Sequence, residues 1–341
     1  MRSRFLCSLL LLALVGLWQA STAAAAGEVN LYSARQEALI KPLLDRFTAE
    51  SGIKVNLVAG KAAALLQRLQ SEGRHTPADV LLTVDAGNLR RAKSAGIFQP
   101  VSSPLLAEAV PAALRDPEGH WYGLSRRARV IVYAKERFEP ATIDSYQDLA
   151  DPGLGQRICI RSSSNIYNQS LVAAMIVHQG EEATEEWARG LVANMARPPQ
   201  GGDRDQIRAV AAGQCDLAVV NTYYLGGMIN GSAADQEAVA RVGLIWPDQD
   251  GYGTHINVSG AGVTRYADNY DNAVKLLEFL VGEEAQRWYA AANYEFPVRP
   301  GVDLAETVAA WGEFRADDIN LALLGEYNPL AVRLMDRAGW R

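Results

Sequence analysis

The sequence predicts an α/β protein with two doubly wound lobes that are joined by crossing strands around a ligand cleft. Strand-like and helical patterns alternate over residues 29–83 and again over residues 157–221, which is typical of mostly parallel sheets covered by helices. Two long segments of mixed polarity, residues 123–135 and 255–263, are suited to cross between lobes. About 315 residues remain after an N-terminal leader is removed. A single hydrophobic core rarely grows that large, so two lobes are expected.

The first alternation combines apolar strand patterns with helices that have one apolar face. Leu65, Leu66 and Leu69 share a face of one predicted helix, and Gly52 follows the end of another. Asp85 is placed to cap the helix after the third strand. The predicted elements are a strand at 29–32, a helix at 37–51, a strand at 53–58, a helix at 62–72 and a strand at 77–83.

The second alternation places helices between two further strands. The predicted elements are a strand at 157–161, helices at 168–179, 182–196 and 203–212, a strand at 215–221, and later helices at 271–282, 283–292 and 322–338. With the two crossing segments, this order predicts an N-terminal lobe of residues 27–125 and 256–305 and a C-terminal lobe of residues 126–255 and 306–341. The carboxyl ends of the strands should face the cleft, where open α/β sheets bind ligands.

Residues 1–26 have the pattern of a secretory signal peptide. Arg2 and Arg4 precede an apolar stretch at 5–18, and small residues follow up to Ala26. A membrane anchor is the weaker interpretation, because the apolar stretch is shorter than the roughly 20 residues that span a bilayer. The protein is therefore expected to be exported and cleaved near Ala26.

The charge of the chain argues against nucleic-acid and anionic membrane partners. The whole chain has a formal charge of −6. Loss of the leader removes two arginines and no acidic residue, so 31 basic residues face 39 acidic ones and the formal charge becomes −8. There is also no run of basic residues that would bind polyanions.

Two cysteines, Cys159 and Cys215, remain after the leader with Cys7 is removed. Both lie in strand-like segments. An exported protein can form a disulfide between them if the two strands are neighbours. Two buried free thiols are the alternative, because the sequence does not give the distance between their Cα atoms.

Tyr223 and Tyr224 are the main candidate site residues. They end the apolar run 215–222 and precede Gly226 and Gly227, so they are expected at the carboxyl end of a strand. Phenolate oxygens suit a hard ion such as Fe³⁺, whose charge favours deprotonation. Adjacent strand residues point to opposite faces, so one ion could bind both only if the two glycines make a turn. Otherwise one ring packs in the core and the other lies at the surface.

The loop at 161–170 is the second candidate element. Ser162, Ser163 and Asn165 precede a predicted helix and could form an anion cradle with backbone N–H groups. Tyr167 in the same turn should face the cleft. Helix capping alone explains the serines and the asparagine equally well.

These motifs resemble those of a known family, the periplasmic ferric iron-binding proteins of ABC importers. The resemblance covers essentially the whole exported chain and is carried by segments 31–33, 77–89, 127–130, 161–170 and 221–226. It implies a type 2 periplasmic binding protein fold, a monomer in the periplasm, no enzymatic activity and an inner-membrane ABC permease as partner. Its implied Fe³⁺ ligands are Tyr167, Tyr223 and Tyr224, with Arg127 beside the metal or a synergistic anion such as carbonate.

The chain departs from the family pattern in the other lobe. Members often carry a histidine–tyrosine pair where this chain has Gln36 and Glu37. Glu37 is a candidate iron ligand through its carboxylate, or else water or an anion fills the position; as a first helical residue it would also suit the helix dipole. Other members use a glutamate where this chain has Val84 and Asp85, so that ligand is not expected.

Two other functions fit the same residues. A binding protein for a small anion or organic solute could use Arg127, residues 162–165 and the tyrosines as hydrogen-bonding groups. An exported enzyme could use Tyr223 or Tyr224 as an acid or base. No nucleophile elbow, P-loop, dinucleotide fingerprint or zinc-binding spacing supports an enzyme.

Overall fold

The computed structural model describes residues 27–341. The predicted signal peptide lies outside this range. Within the described range, the sheet has eight strands: β1 Glu28–Ser33, β2 Lys54–Ala59, β3 Val80–Val84, β4 Tyr122–Ala134, β5 Ile158–Cys159, β6 Leu217–Asn221, β7 Val242–Ile245 and β8 Ile256–Val263.

Twelve α-helices cover the sheet in the described residues. They are α1 Glu37–Ser51, α2 Ala62–Glu72, α3 Ala86–Ser94, α4 Pro104–Ala109, α5 Ile166–Ala193, α6 Asp203–Ala211, α7 Thr222–Ile229, α8 Ala233–Ala240, α9 Tyr270–Leu280, α10 Glu283–Asn293, α11 Glu306–Ala309 and α12 Ala322–Arg337. Short 3-10 helices lie at Gly73–His75, Ala112–Leu114, Pro140–Thr142, Gln147–Ala150 and Pro152–Leu154.

The sheet has two halves that share the long strand β4. The strand order is β2-β1-β3-β8-β4-β6-β5, and β7 also pairs with β4. Residues 122–128 of β4 pair with β8, whereas residues 129–134 pair with β6 and β7. We call β1, β2, β3, β8 and residues 122–128 the first half, and the remaining strands with residues 129–134 the second half. This arrangement confirms the α/β prediction; the division of the chain at residues 125, 255 and 305 stays a prediction.

The helices divide in the same way. Helices α1 and α9 pack against strands of the first half, and α10 packs against both of these helices. Helices α6, α7 and α8 pack against strands of the second half. Helix α12 contacts α5 and α3, so it touches elements on both sides. Strand β5 is parallel to β6, with Ile158 opposite Leu217 and Cys159 opposite Ala218.

The strand predicted before the tyrosine pair, at 215–221, ends where the structure ends it but begins two residues too early. Strand β6 ends at Asn221, which is the N-cap of α7, and Tyr223 and Tyr224 are helical. Gly226 and Gly227 lie inside α7 and make no turn. The expected turn at the two glycines was therefore wrong, because the apolar pattern does not show that a helix begins directly after the strand.

Other sequence predictions agree with the structure. Asp85 caps α3, since its side chain accepts a hydrogen bond from the Gly87 backbone N–H at 2.9 Å. The two helices predicted on either side of Gly180 meet at this residue, which has non-helical angles of φ 84° and ψ 172° inside α5. Strand β7 and helices α4 and α8 carried no clear pattern in the sequence.

Cys159 and Cys215 form a disulfide, with their Cα atoms 5.8 Å apart. The bond links β5 to the residues just before β6, its parallel neighbour. The alternative of two free thiols is therefore wrong. Among residues 27–341, the helices are all too short or too polar to cross a membrane.

Candidate metal centre

Three tyrosines converge at the carboxyl ends of two neighbouring parallel strands. Tyr167 lies in the first turn of α5, which follows β5, and Tyr223 and Tyr224 lie in the first turn of α7, which follows β6. The Tyr223 hydroxyl donates a hydrogen bond to the Tyr167 oxygen at 3.1 Å. The rings of Tyr223 and Tyr224 have centroids 4.3 Å apart. Adjacent residues point about 100° apart on a helix, so both phenols reach the same side without a turn.

Burial changes the acidity of two of these phenols. Desolvation, with a smaller effect of Tyr224, raises the pKa of Tyr167 to about 12. Desolvation also raises the pKa of Tyr223 well above its ordinary value. Both groups therefore keep their protons at neutral pH unless a cation is bound. A trivalent ion reverses this preference, because its charge stabilises the phenolates at short range.

Arg127 supplies a buried positive charge beside the phenols. Its side chain is 2% exposed, and its guanidinium carbon lies 5.6 Å from the centroid of the Tyr167 ring. Nη1 donates to Ser259 Oγ at 3.1 Å, and Nη2 lies 4.0 Å from Asp85 Oδ2. Nε and Nη2 have no hydrogen-bond partner within residues 27–341. Buried donors without partners are unfavourable, so a small anion would be well placed here.

A buried charged network fixes the strand ends that carry the tyrosines. Asp203, at the start of α6, accepts hydrogen bonds from the Asn221 backbone N–H at 2.8 Å and from Arg161 Nη1 at 3.0 Å. Arg129 Nη1 lies 3.3 Å from the same carboxylate, and its Nη2 donates to Asn168 in α5. The network therefore ties together the beginnings of α5, α6 and α7.

The tyrosines line a cavity of about 260 Å³ between the two halves of the sheet. The second half contributes Tyr167, Tyr223, Tyr224, Arg204 and Gly227, and the first half contributes Arg35, Gln36, Tyr294 and Glu295, with Arg127 on the shared strand. The guanidinium of Arg204 lies 5.4 Å from the centroid of the Tyr224 ring. Both members of the tyrosine pair face the cavity, so neither is only a core or surface residue. In residues 27–341 no cluster of three or more His, Cys, Asp or Glu is arranged to hold a metal.

Glu37 is not among the residues that line this cavity. It is exposed at the first position of α1, and the preceding Gln36 lines the cavity instead. The structure therefore does not bring Glu37 together with the three tyrosines.

Ser162, Ser163 and Asn165 also lie outside the cavity lining. Asn165 Oδ1 accepts a hydrogen bond from the Tyr167 backbone N–H at 3.1 Å and caps α5. Ser162 Oγ shares a hydrogen bond with Ser164 Oγ at 2.9 Å, and the Ser163 carbonyl accepts one from Gln169 Nε2 at 2.9 Å. These groups order the turn before α5, as the capping alternative supposed.

Sequence reasoning missed the first-half wall of the cavity. Arg35 Nη2 donates to Glu295 Oε2, and both side chains are 5% exposed. Ser125 Oγ donates to the same carboxylate oxygen at 2.9 Å. Tyr294, next to Glu295, has the left-handed angles φ 56° and ψ 33°. The only sequence signal was an aromatic residue where a helix C-terminus usually has glycine or asparagine.

Comparisons with known proteins give a consistent result. A family model described as a bacterial extracellular solute-binding protein matches residues 75–315. Iron uptake protein A1 of Synechocystis is 51% identical over 315 residues, covering 92% of this chain and 88% of that protein.

Two solved structures are similar over nearly the whole described chain. The Trichodesmium protein IdiA (FutA), solved in complex with iron and citrate ligands, has a TM-score of 0.90 at 47% identity, covering 92% of this chain and 100% of the other. A Bordetella ferric binding protein has a TM-score of 0.85 at 46% identity, covering 92% and 99%. The two-lobed type 2 binding-protein fold is thereby confirmed. None of these three proteins is described as an enzyme.

Proposed function

Because the chain belongs to the family of bacterial extracellular solute-binding proteins, we propose that it captures ferric iron in the periplasm and delivers it to an inner-membrane ABC permease. The ligands in this proposal are the phenolates of Tyr167, Tyr223 and Tyr224. The observation that carries it is the convergence of these three phenols on one cavity, with Tyr223 and Tyr167 oxygens 3.1 Å apart. The printed names of the relatives, an iron uptake protein and a ferric binding protein, support the same cargo.

The donor set matches the charge of the ion. Three phenolates neutralise one Fe³⁺, and hard anionic oxygens are the ligands that this ion prefers. Three donors leave part of an octahedral shell open. Arg127 has two guanidinium nitrogens without hydrogen-bond partners among residues 27–341, which supports a synergistic anion such as carbonate in that space. The citrate bound with iron in the Trichodesmium protein is an example of an anion accompanying the metal in a relative.

The anion or water, and not Glu37, completes the coordination in this proposal. Glu37 is exposed and does not line the cavity, whereas its neighbour Gln36 does. An amide oxygen is a weaker donor for a trivalent ion than a carboxylate. Replacing Glu37 with Gln should therefore leave iron retention unchanged.

The test adds ferric citrate to metal-free protein and desalts it. Iron-bound phenolates give a visible charge-transfer absorption, so the protein should become coloured and keep iron. Tyr224→Phe should lose most of both. Tyr266→Phe is the matched control, because Tyr266 is 46% exposed and is not among the residues lining the metal cavity.

A colourless wild-type protein that keeps no iron would refute the proposal. Retention of radiolabelled citrate without iron would favour the alternative of an anion or organic solute as cargo. Unchanged colour in Tyr224→Phe would show that this phenol is not a ligand.

A further inference from the structure

We infer that Tyr294 and Gly226 form the contact that closes the cleft over the iron site. This inference rests on the proposed function and deepens it. Tyr294 is a positioning residue here: it holds the first half of the protein against α7 and does not bind the metal. Tyr294 thereby gives the first half a role in closing the site, whereas Glu37 is exposed on α1.

Hydrogen bonds tie Tyr294 and its neighbour to the first half. The Tyr294 backbone N–H donates to the Tyr289 carbonyl at the end of α10. The next residue, Glu295, is buried and accepts hydrogen bonds from Arg35 and Ser125. Tyr294 has φ 56°, a conformation that side-chain-bearing residues rarely adopt. Strain of this kind persists only where the surroundings enforce it, and it is concentrated at functional positions.

Gly226 receives the base of the Tyr294 side chain on the other side of the cleft. A Cβ atom added at Gly226 would lie 2.4 Å from Tyr294 Cβ and 2.5 Å from its Cγ. These atoms are close to the backbone of Tyr294, so they cannot move aside as the end of a flexible chain can. Gly226 lies inside α7, where glycine is an unfavourable helix former, and its φ is not positive. The glycine is therefore needed for space and not for backbone conformation.

The contact is on the helix that carries two of the three phenols. Gly226 follows Tyr223 by three residues, so both lie on one face of α7. Tyr294 lines the same cavity as Tyr167, Tyr223 and Tyr224. All three phenols belong to the second half, so they can bind iron before the cleft closes. Closure against Gly226 then covers the occupied site and should slow release, because hinge motions of this kind shut ligands away from water.

The test uses Gly226→Ala in the full exported chain. The added methyl group blocks the approach of Tyr294, while the three phenols remain. We expect the iron-loaded variant to keep its charge-transfer colour but to release iron to a competing chelator at least about tenfold faster, an effect on the dissociation rate. We also expect the decrease in radius of gyration on iron loading, measured by small-angle X-ray scattering, to disappear.

Ile229→Ala is the matched control in the same helix. Ile229 is 36% exposed and is not among the residues lining the iron cavity, so release should stay at the wild-type rate. Tyr294→Phe keeps the Cβ and Cγ that touch Gly226 and should also behave as wild type. Tyr294→Gly accepts the left-handed conformation and removes the ring, so it should speed release as Gly226→Ala does.

The combined variant decides between this contact and a general loss of stability. With the ring removed in Tyr294→Gly, adding Gly226→Ala should cause no further acceleration, because the methyl group has nothing to strike. Additive effects, or wild-type release and compaction in Gly226→Ala, would overturn the inference.

A change of colour or release in Tyr294→Phe would overturn the positioning role in favour of ligation. A wild-type protein that binds no iron would overturn the proposed function and this inference together, whereas the other outcomes leave the proposed function standing.

Discussion

Removing the cross-link between Cys159 and Cys215 should lower the free energy of unfolding by about 4 kcal/mol. The two cysteines are 56 residues apart in sequence, and closing a loop of that length removes about this much conformational entropy from the unfolded chain. Both residues are buried, at 0% and 4% exposure, so a serine would bury a hydroxyl group. Reduction of the wild-type protein is the cleaner perturbation, because it keeps both sulfur atoms in place.

The assay is urea unfolding followed by tryptophan fluorescence, with and without dithiothreitol, on metal-free protein. The variant Cys159→Ala/Cys215→Ala should unfold like the reduced wild type, apart from the loss of two small side-chain contacts, and should not respond to dithiothreitol. A difference below about 1 kcal/mol between oxidised and reduced wild type would refute the loop-entropy reasoning. It would mean that the unfolded chain already holds these segments together or that the bond strains the native state.

Two further predictions concern buried carboxylates. Asp203→Asn should destabilise the protein by about 3–5 kcal/mol in urea unfolding, because Arg129 and Arg161 lose a fully buried counter-charge. Asp45→Asn, the control in an exposed ion pair, should lower the free energy of unfolding by less than about 1 kcal/mol. Equal losses in the two variants would contradict the claim that the effect depends on burial of the carboxylate. Burial raises the pKa of Asp248 to about 6. Between about pH 4 and pH 6 the folded state therefore binds a proton at Asp248 that the unfolded state has lost, so the free energy of unfolding of the wild type should fall as the pH rises through this range. Asp248→Asn should lack that part of the slope and be more stable than wild type by up to about 3 kcal/mol above pH 6; parallel stability curves for the two proteins would disprove the raised pKa.

The general architecture could be predicted because it is encoded locally. Strand β3 was expected from a continuous apolar run, and four of its five residues are buried. The cap at Asp85 depends on a hydrogen bond to a residue only two positions away. Patterns of this range are visible in a single sequence, since both the pleat and the helix repeat within a few residues.

The limits of prediction are visible at the cavity wall. The pair Arg35 and Glu295 is separated by 260 residues, and no periodicity links its members. The position of Tyr294 depends on the space that Gly226 leaves in another helix. Glu37 shows the same limit from the other side: its chemistry suits iron, but α1 begins with this residue exposed to solvent. Side-chain direction at a helix start depends on how the helix packs, which composition does not report.

The second half holds the three phenols in place within itself, whereas the first half contributes a contact that depends on closure of the cleft. Cys159 precedes Tyr167 by eight residues, and Cys215 precedes Tyr223 by the same number. The two strand-to-helix units run side by side but differ in length, since six residues separate β5 from α5 whereas α7 follows β6 directly. The disulfide links them ahead of the phenols, and Asp203 binds both Arg161 and the Asn221 backbone N–H at the strand ends. The spacing of the phenols is set within one half before any ion binds, which lowers the entropy lost on ligation. The first half makes its contact through Tyr294 only when the cleft is closed, so substitutions there should change how long iron is held more than whether it is bound.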